Sequence, residues 1–227
     1  MKEVLQKLIA QSGKCSRRNA QDFIRHGKVR VNGKPAQLGD RADKNLDSIT
    51  INGKKIVFTD FHYYAFYKPK GVVTTLKPQK GQRSLLDFLP KNLRLIPVGR
   101  LDRESEGLLL LTNDGEFANR IMHPRYEHKK TYEVTVDRLL EEKEMKHIRS
   151  GVMIEKKKTL PLEIFHREHT TYSMTLREGR NRIIRKIMKK FGRDVLRLKR
   201  VQIELIRLGT LQPGKMRRLY KHEKQLL

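Results

Sequence analysis

The stretch from Val98 to Gly115 reads Val-Gly-Arg-Leu-Asp-Arg-Glu-Ser-Glu-Gly-Leu-Leu-Leu-Leu-Thr-Asn-Asp-Gly, a polar loop feeding an apolar run. Asp102 lies between Arg100 and Arg103. A carboxylate in a cationic setting stays ionised at neutral pH. That suits a nucleophile or a base and argues against a general acid. The plain alternative is a loop carboxylate paired with arginine, and the residue types alone leave it open. Asp102, Glu104, Glu106 and Asp114 also put four carboxylates within thirteen residues, an oxygen set of the kind hard cations take. The interleaved arginines compete with a cation, and Glu104 and Glu106 fall in a turn, so a metal site is the weaker reading. Other arrangements are missing from the sequence. No glycine-rich loop ends in Gly-Lys-Ser or Gly-Lys-Thr, and His166, Glu168 and His169 lack the spacing of a zinc-protease helix, so they read as surface residues.

The elements that must hold this stretch form a longer α/β pattern. Tyr63 to Tyr67 is an aromatic strand that ends in the turn Lys68-Pro69-Lys70-Gly71. Gly107 to Leu111 is a continuous apolar run, as a strand buried on both faces requires. Asn113-Asp114-Gly115 turns it into a short helix around Phe117 and Ile121. Tyr132, Val134 and Val136 alternate with Thr131, Glu133 and Thr135 and predict a strand. A helix is expected over Leu139 to Ile148, a strand over Tyr172 to Leu176, and a helix over Asn181 to Phe191 with Ile183, Ile184, Ile187, Met188 and Phe191 on one stripe. Val195 to Leu205 is extended. Strands and helices mix without a regular βαβ repeat, so the expected class is α+β with a mixed, largely antiparallel sheet.

Residues 1 to 56 read as a separate small unit. Val4, Leu5, Leu8 and Ile9 recur at helical spacing, and Gly13 stops that helix. Ser16 is the expected N-cap of a second helix that turns Ala20, Phe23 and Ile24 inward and ends at Gly27. The period then becomes two at Val29 and Val31. Asn32-Gly33 is a hairpin signal, and Ile49 and Ile51 form a strand closed by Asn52-Gly53. Lys14, Arg17, Arg18, Arg25, Lys28 and Arg30 then share one basic face. Residues 57 to 62 are a linker or an entry strand.

Composition points to the partner. Lys and Arg number 51 against 25 Asp and Glu, a net charge of +26. A surplus of that size repels itself in a compact chain and becomes useful against a polyanion, where each neutralised phosphate releases counterions. No apolar run is long enough to span a bilayer, and no signal-peptide core opens the sequence. The lone Cys15 excludes an internal disulfide and a multi-cysteine zinc site, which favours an intracellular, cytoplasmic protein, and Cys15 itself reads as a small buried filler.

The wording of the chain also carries a resemblance. Gly13-Lys14-Cys15-Ser16-Arg17-Arg18-Asn19-Ala20, then Ile24, then Gly27-Lys28-Val29-Arg30-Val31-Asn32-Gly33 resemble the RNA-binding module named after ribosomal small-subunit protein four, the alpha-L motif. Gly-Arg-Leu-Asp at 99–102 with Glu-Gly-Leu-Leu-Leu-Leu-Thr-Asn-Asp-Gly at 106–115 resembles the central motif of the ribosomal-RNA pseudouridine synthases of the RsuA and RluB group. Further matches stand in family order: Lys68-Pro69-Lys70-Gly71, His123-Pro124, Lys129-Lys130-Thr131-Tyr132-Glu133-Val134, and Glu178-Gly179-Arg180-Asn181-Arg182 leading to Arg185. Together they span about residues 63 to 214.

The resemblance implies an alpha-L domain over 1–56, a linker over 57–62 and a catalytic domain over 63–227. It implies isomerisation of a uridine within ribosomal RNA, without a cofactor or essential metal. Asp102 takes the place of the catalytic aspartate, Tyr132 that of the aromatic residue stacked on the target base, and Arg185 that of the basic residue beside the aspartate. The plainer readings are a core aromatic for Tyr132 and one cation among many for Arg185. Arg100, Arg180 and Arg182 join the six basic residues of the first unit as expected RNA contacts. The expected partner is ribosomal RNA or a ribosomal assembly particle, met by a monomer away from any membrane. Ile183-Ile184 departs from relatives that carry a polar residue before the basic one, and Glu-Gly-Arg-Asn-Arg leans toward the large-subunit branch. Two rivals stand beside this reading: an assembly factor that kept the fold without catalysis, and a metal-dependent nuclease built on the carboxylates around Asp102.

Overall fold

The protein is described by a computed structural model covering residues 1–225. The chain divides into two compact units: Met1–His62 with Pro90–Leu95 and Asn113–Gly115, and Tyr63–Leu89, Ile96–Thr112 and Glu116 onward.

The first unit runs β1 (Glu3–Val4), α1 (Leu5–Gln11), α2 (Arg17–Arg25), β2 (Val29–Val31), β3 (Lys34–Pro35), β4 (Arg41–Ala42), β5 (Ile49–Ile51) and β6 (Lys54–Lys55). The Ser16 side chain accepts the Asn19 N–H at 3.1 Å and caps α2, and Gly27 leaves it at φ +65°. Asn32-Gly33 and Asn52-Gly53 turn two hairpins with φ positive at all four residues, the pattern of type I′ turns. They generate a four-stranded sheet in the order β3-β2-β5-β6. Leu5, Leu8, Ile9, Ala20, Ile24, Val29 and Ile49 form its core. Val4 is not helical as its spacing suggested. It pairs with Arg41 as the end of β1 and stands at the N-cap of α1.

The second unit contains β7 (Tyr63–Lys68), β8 (Ile96–Val98), β9 (Glu106–Thr112), α3 (Gly115–Met122), β10 (Lys130–Val136), α4 (Glu142–Arg149), β11 (Met153–Ile154), β12 (Lys157–Lys158), β13 (Glu163–Glu168), β14 (Thr171–Leu176), α5 (Ile183–Lys190), β15 (Val195–Ile203), β16 (Ile206–Arg207), β17 (Met216–Arg218) and α6 (Lys221–Gln225). Nine strands form one sheet with the path β13-β14-β10-β15-β9-β7-β17, while β16 adds to β15 and β8 to β9. The sheet is antiparallel except between β9 and β15, where Glu106 faces Lys199 and Gly107 faces Arg200. Leu108 to Leu111 are fully buried, as an interior strand covered on both faces demands. One core cluster gathers Val134, Tyr172, Met174, Ile184, Ile187 and Leu198. A second gathers Ala65, Tyr67, Leu108, Leu110, Phe117 and Ile203.

The differences from the sequence expectation have local causes. Helix α4 begins at Glu142 rather than Leu139, because the Leu140 N–H donates to the Tyr172 hydroxyl at 2.8 Å and Glu141 caps the helix with Glu144. Helix α5 begins at Ile183 because Arg182 adopts φ +52°. Ile183 and Ile184, unusual beside the family wording, are buried core residues of α5. Strand β13 was not anticipated. It is an edge strand with one buried residue, Ile164, and His166 and Glu168 are exposed along it.

Candidate active site

Asp102 sits half-buried in the loop between β8 and β9. Two segments fix that loop. The buried Thr74 hydroxyl donates to the Leu101 carbonyl at 2.7 Å and accepts the Leu101 N–H at 3.2 Å. The Gly71 N–H donates to the Arg103 carbonyl at 2.8 Å, and the Ser105 N–H closes the turn on the Asp102 carbonyl at 3.1 Å. The 68–74 segment is itself tied by Lys68, a fully buried side chain whose Nζ donates to the carbonyls of Pro69 at 2.8 Å and Val72 at 2.7 Å. Burial pushes the Lys68 ammonium down from the usual 10.5 to about 8, against the pull of Asp102, Glu104 and Glu106.

Neither flanking arginine neutralises Asp102. Arg100 is exposed, Arg103 lies 3.8 Å from Glu104, and among the described residues Asp102 forms no ion pair. The cation beside its loop is Arg185. This half-buried side chain donates from Nη1 to the Val195 carbonyl at 3.0 Å and from Nη2, at 3.4 Å, to the carbonyl of Glu104, two residues past Asp102. Its Nε is buried with no hydrogen-bond partner. Burial, then Arg182, lower the Arg185 pKa, while Asp102 and Glu104 raise it. Arg185 and Asp102 thus feel each other's charge without touching, and the carboxylate oxygens stay available to a third group.

Tyr132 lies on β10, half-buried against the first core cluster, with Arg200 of β15 as its cross-strand neighbour. Arg200 in turn faces Gly107 of β9. Tyr132 is therefore two strands across from a residue five positions past Asp102, about 10 Å at the usual strand spacing. The geometry brings Arg185 beside the Asp102 loop and places Tyr132 two strands across the sheet from Gly107, where that loop has passed into β9.

Three further groups stand near the loop; Lys68 and Arg200 had no site role in the sequence reading, and Glu106 stood there only in a candidate cation set. Lys68 is one. Glu106 is the second: it accepts from the Tyr67 hydroxyl at 2.8 Å and from Arg197 Nε at 2.7 Å, and its carboxyl is held low by those partners despite burial, while burial and then Glu106 push Tyr67 up to about 12. Each Glu106 oxygen thus already has a partner, and among the described residues no three His, Cys, Asp or Glu side chains gather as a cation site. The third is Arg200, only 3 % exposed, with Nε on the Leu108 carbonyl at 2.7 Å. The available signal was a cation inside an otherwise strand-like apolar pattern, as at Lys68 after Tyr63–Tyr67. A groove of about 640 Å³ lined by Leu205, Arg207, Lys215 and Tyr220 includes none of these residues.

The other expected contacts divide. Lys14, Arg17, Arg18, Arg25, Lys28 and Arg30 are all exposed in the first unit, although Arg25 pairs with Asp22 at 3.2 Å and Arg30 reaches the Gly33 carbonyl at 2.9 Å. Arg182 is exposed, whereas Arg180 binds Glu178 at 2.6 Å and the carbonyls of Ile154 and Lys157 at 3.3 and 3.1 Å.

A family model described as RNA pseudouridylate synthase matches residues 62–190, more than half of the chain. The chain belongs to that family. A model described as S4 domain matches residues 5–47. This pseudouridine synthase is 40% identical over 230 residues to the ribosomal large subunit pseudouridine synthase B of Bacillus subtilis, covering 97% of this chain and 93% of that protein. It is 36% identical over 223 residues to the dual-specificity RNA pseudouridine synthase RluF of Escherichia coli, covering 96% of this chain and 76% of that one. A crystal structure of a pseudouridylate synthase superposes with a TM-score of 0.73 at 27% identity over 98% of both chains. The enzyme is accordingly an isomerase with an S4 domain at its N-terminal end and a mixed, largely antiparallel sheet.

Proposed function

We propose that this synthase isomerises a uridine of large-subunit ribosomal RNA, with Asp102 as the catalytic carboxylate and residues 1–56 as an RNA anchor joined by 57–62 to the catalytic domain over 63–227. The observation that carries the assignment of Asp102 is its setting: a half-buried carboxylate without an ion pair, on a loop tied down by Thr74 and Gly71 and flanked by Arg185. The large-subunit target follows the relatives' names, foremost that of the Bacillus subtilis protein.

In this reading the target nucleotide turns out of its stack to reach the site. The bond from uracil N1 to ribose C1′ breaks. The uracil rotates against the ring of Tyr132, and C5 bonds to C1′. The C5 proton leaves and N1 ends protonated, so substrate and product have the same composition. Asp102 acts on the ribose, as nucleophile at C1′ or as base at C2′. Arg185 holds a positive charge beside it. Tyr132 retains the detached base, and stacking of a base on an aromatic ring is worth roughly 1–3 kcal/mol. Release of tritium from C5-labelled ribosomal RNA tests the activity, and labelling each subunit's RNA separately tests the target. No release from either RNA would end the proposal.

Two further outcomes are expected. Deleting residues 1–56 should weaken binding to structured RNA and flatten its salt dependence, because the exposed cations of that segment, Lys14, Arg17, Arg18, Arg25, Lys28 and Arg30 among them, leave with it. An unchanged slope of log Kd against log salt would refute the anchor. The second outcome concerns Lys68. Between about 8 and 10.5 the unfolded chain carries a proton that buried Lys68 lacks, so this group makes the fold more stable as pH rises through that window. The same loss removes a positive charge that acts on Asp102. The kcat/KM profile should therefore fall on a basic limb centred near pH 8 while the melting temperature holds. A profile flat up to pH 9.5, about 1.5 units past that midpoint, would show that the Lys68 charge does not support the chemistry.

A further inference from the structure

The hairpin β11–β12 has an unusual tip. Ile154 pairs with Lys157, so Glu155 and Lys156 are the two turn residues, at φ +51° and +62°. Two-residue hairpins with both central φ values positive favour Asn-Gly, because side chains resist the left-handed region. The same chain uses Asn-Gly at 32–33 and 52–53, where φ is also positive at both positions. At 155–156 it places two long charged residues instead.

This strained tip is held by α5 and the residues leading into it. Lys186 Nζ meets Glu155 Oε1 at 2.8 Å, and Lys190 Nζ donates to the Met153 carbonyl at 2.9 Å. Arg180 Nη1 donates to the carbonyls of Ile154 and Lys157. Three basic side chains, Arg180, Lys186 and Lys190, thus reach the hairpin. What the hairpin presents outward is Lys156, Lys157 and Lys158, all exposed and, among the described residues, without an acidic partner. Strain maintained by surrounding structure at an exposed, charged tip points to function.

We propose that the β11–β12 tip is a phosphate-binding finger that grips the RNA backbone through Lys156, Lys157 and Lys158, with Arg180, Lys186 and Lys190 as the residues that position it. This rests on the reading of the chain as an RNA-modifying synthase and names a contact within it. The occupant is fixed by charge complementarity: exposed lysines at the tip and on both faces of β12, without acidic partners among the described residues, suit a polyanion such as a polynucleotide backbone.

The test separates strain from binding. Lys156→Gly gives the turn a residue that accepts positive φ, so the melting temperature should rise. It also removes one cation, so the Kd for an in vitro large-subunit rRNA transcript should weaken about five- to tenfold at 0.1 M salt, with a salt slope lower by about one. The two readouts move in opposite senses. Replacing Lys156, Lys157 and Lys158 together by Ser should lower the slope by about two to three. Lys146→Gln on α4 removes the same charge elsewhere and is expected to leave the slope unaltered. A Lys156→Gly protein that is more stable yet binds RNA like wild type would overturn the proposal, as would an equal loss in Lys146→Gln. Tritium release by the wild-type enzyme on the same transcript is the control: without it the synthase reading has failed, and with it a null result falls on the finger alone.

Discussion

Asp102→Asn is expected to lower pseudouridine formation by about 10³-fold or more while leaving RNA affinity and the melting temperature nearly where they were. Asparagine keeps the size of the side chain and removes the charge, the nucleophile and the base together. Stability should hold because the Asp102 carboxylate has no ion pair among the described residues, and the loop is pinned by Thr74, Gly71 and Ser105 through backbone groups at 101–103. Affinity should hold because the bulk of RNA binding comes from phosphate contacts distributed over a chain of net charge +26. The measurement is single-turnover tritium release at saturating RNA, beside a filter-binding Kd. Activity within about tenfold of wild type would refute the role, since loss of a nucleophile or general base costs more than that. A drop confined to KM would move Asp102 from chemistry to binding.

Where local chemistry decides the backbone, the sequence is readable. Ser16 before α2, the two Asn-Gly turns and the run Leu108–Leu111 each act within a few residues, and each stands where its residue types put it. Where a partner distant in sequence decides, it is not. Nothing in Leu139-Leu140 announces that the Tyr172 hydroxyl, 32 residues away, takes the Leu140 N–H and delays α4. Strand β13 reads Glu-Ile-Phe-His-Arg-Glu, and because an edge strand buries little it carries one core residue, too few for a period-two signal.

The site shows the same division. Asp102 stands out by its neighbours in sequence, yet those neighbours do not pair with it. The groups that shape its setting, Lys68, Thr74 and Arg185, come from segments 34, 28 and 83 residues away, as their numbering shows. A list of basic residues likewise cannot separate Arg182, which is exposed, from Arg180, whose guanidinium is committed to the β11–β12 hairpin. Only the fold distinguishes a cation left open to solvent from one that holds a neighbouring hairpin.

Gly107→Ala is expected to disable the enzyme by a different route, through the fold. Strands β9 and β15 join the two halves of the sheet, and their pairing spans only Glu106–Lys199 and Gly107–Arg200. Gly107 stands at φ +105°, and a Cβ there would run into the Arg200 carbonyl oxygen and lie 2.7 Å from the Arg200 nitrogen. Those are backbone atoms of an interior strand, so no side chain can swing aside. Alanine must push β9 off β15 or leave its own φ, and either movement breaks the bond from Arg200 Nε to the Leu108 carbonyl and leaves a buried guanidinium short of a partner. Strain of this kind with loss of a buried charged hydrogen bond costs about 3–5 kcal/mol, which for a chain of this length lowers the melting temperature by roughly 6–20 °C. Because β9 continues from the Asp102 loop and β15 lies beside the Tyr132 strand, activity should fall together with stability. Asp102→Asn should separate the two, so the pair of variants distinguishes the chemistry from the joint that aligns it. A Gly107→Ala protein that melts within about 2 °C of wild type, less than a 1 kcal/mol change, would mean that β9 and β15 do not approach this closely, and with it that Gly107, Arg200 and Tyr132 do not stand in one row across the sheet.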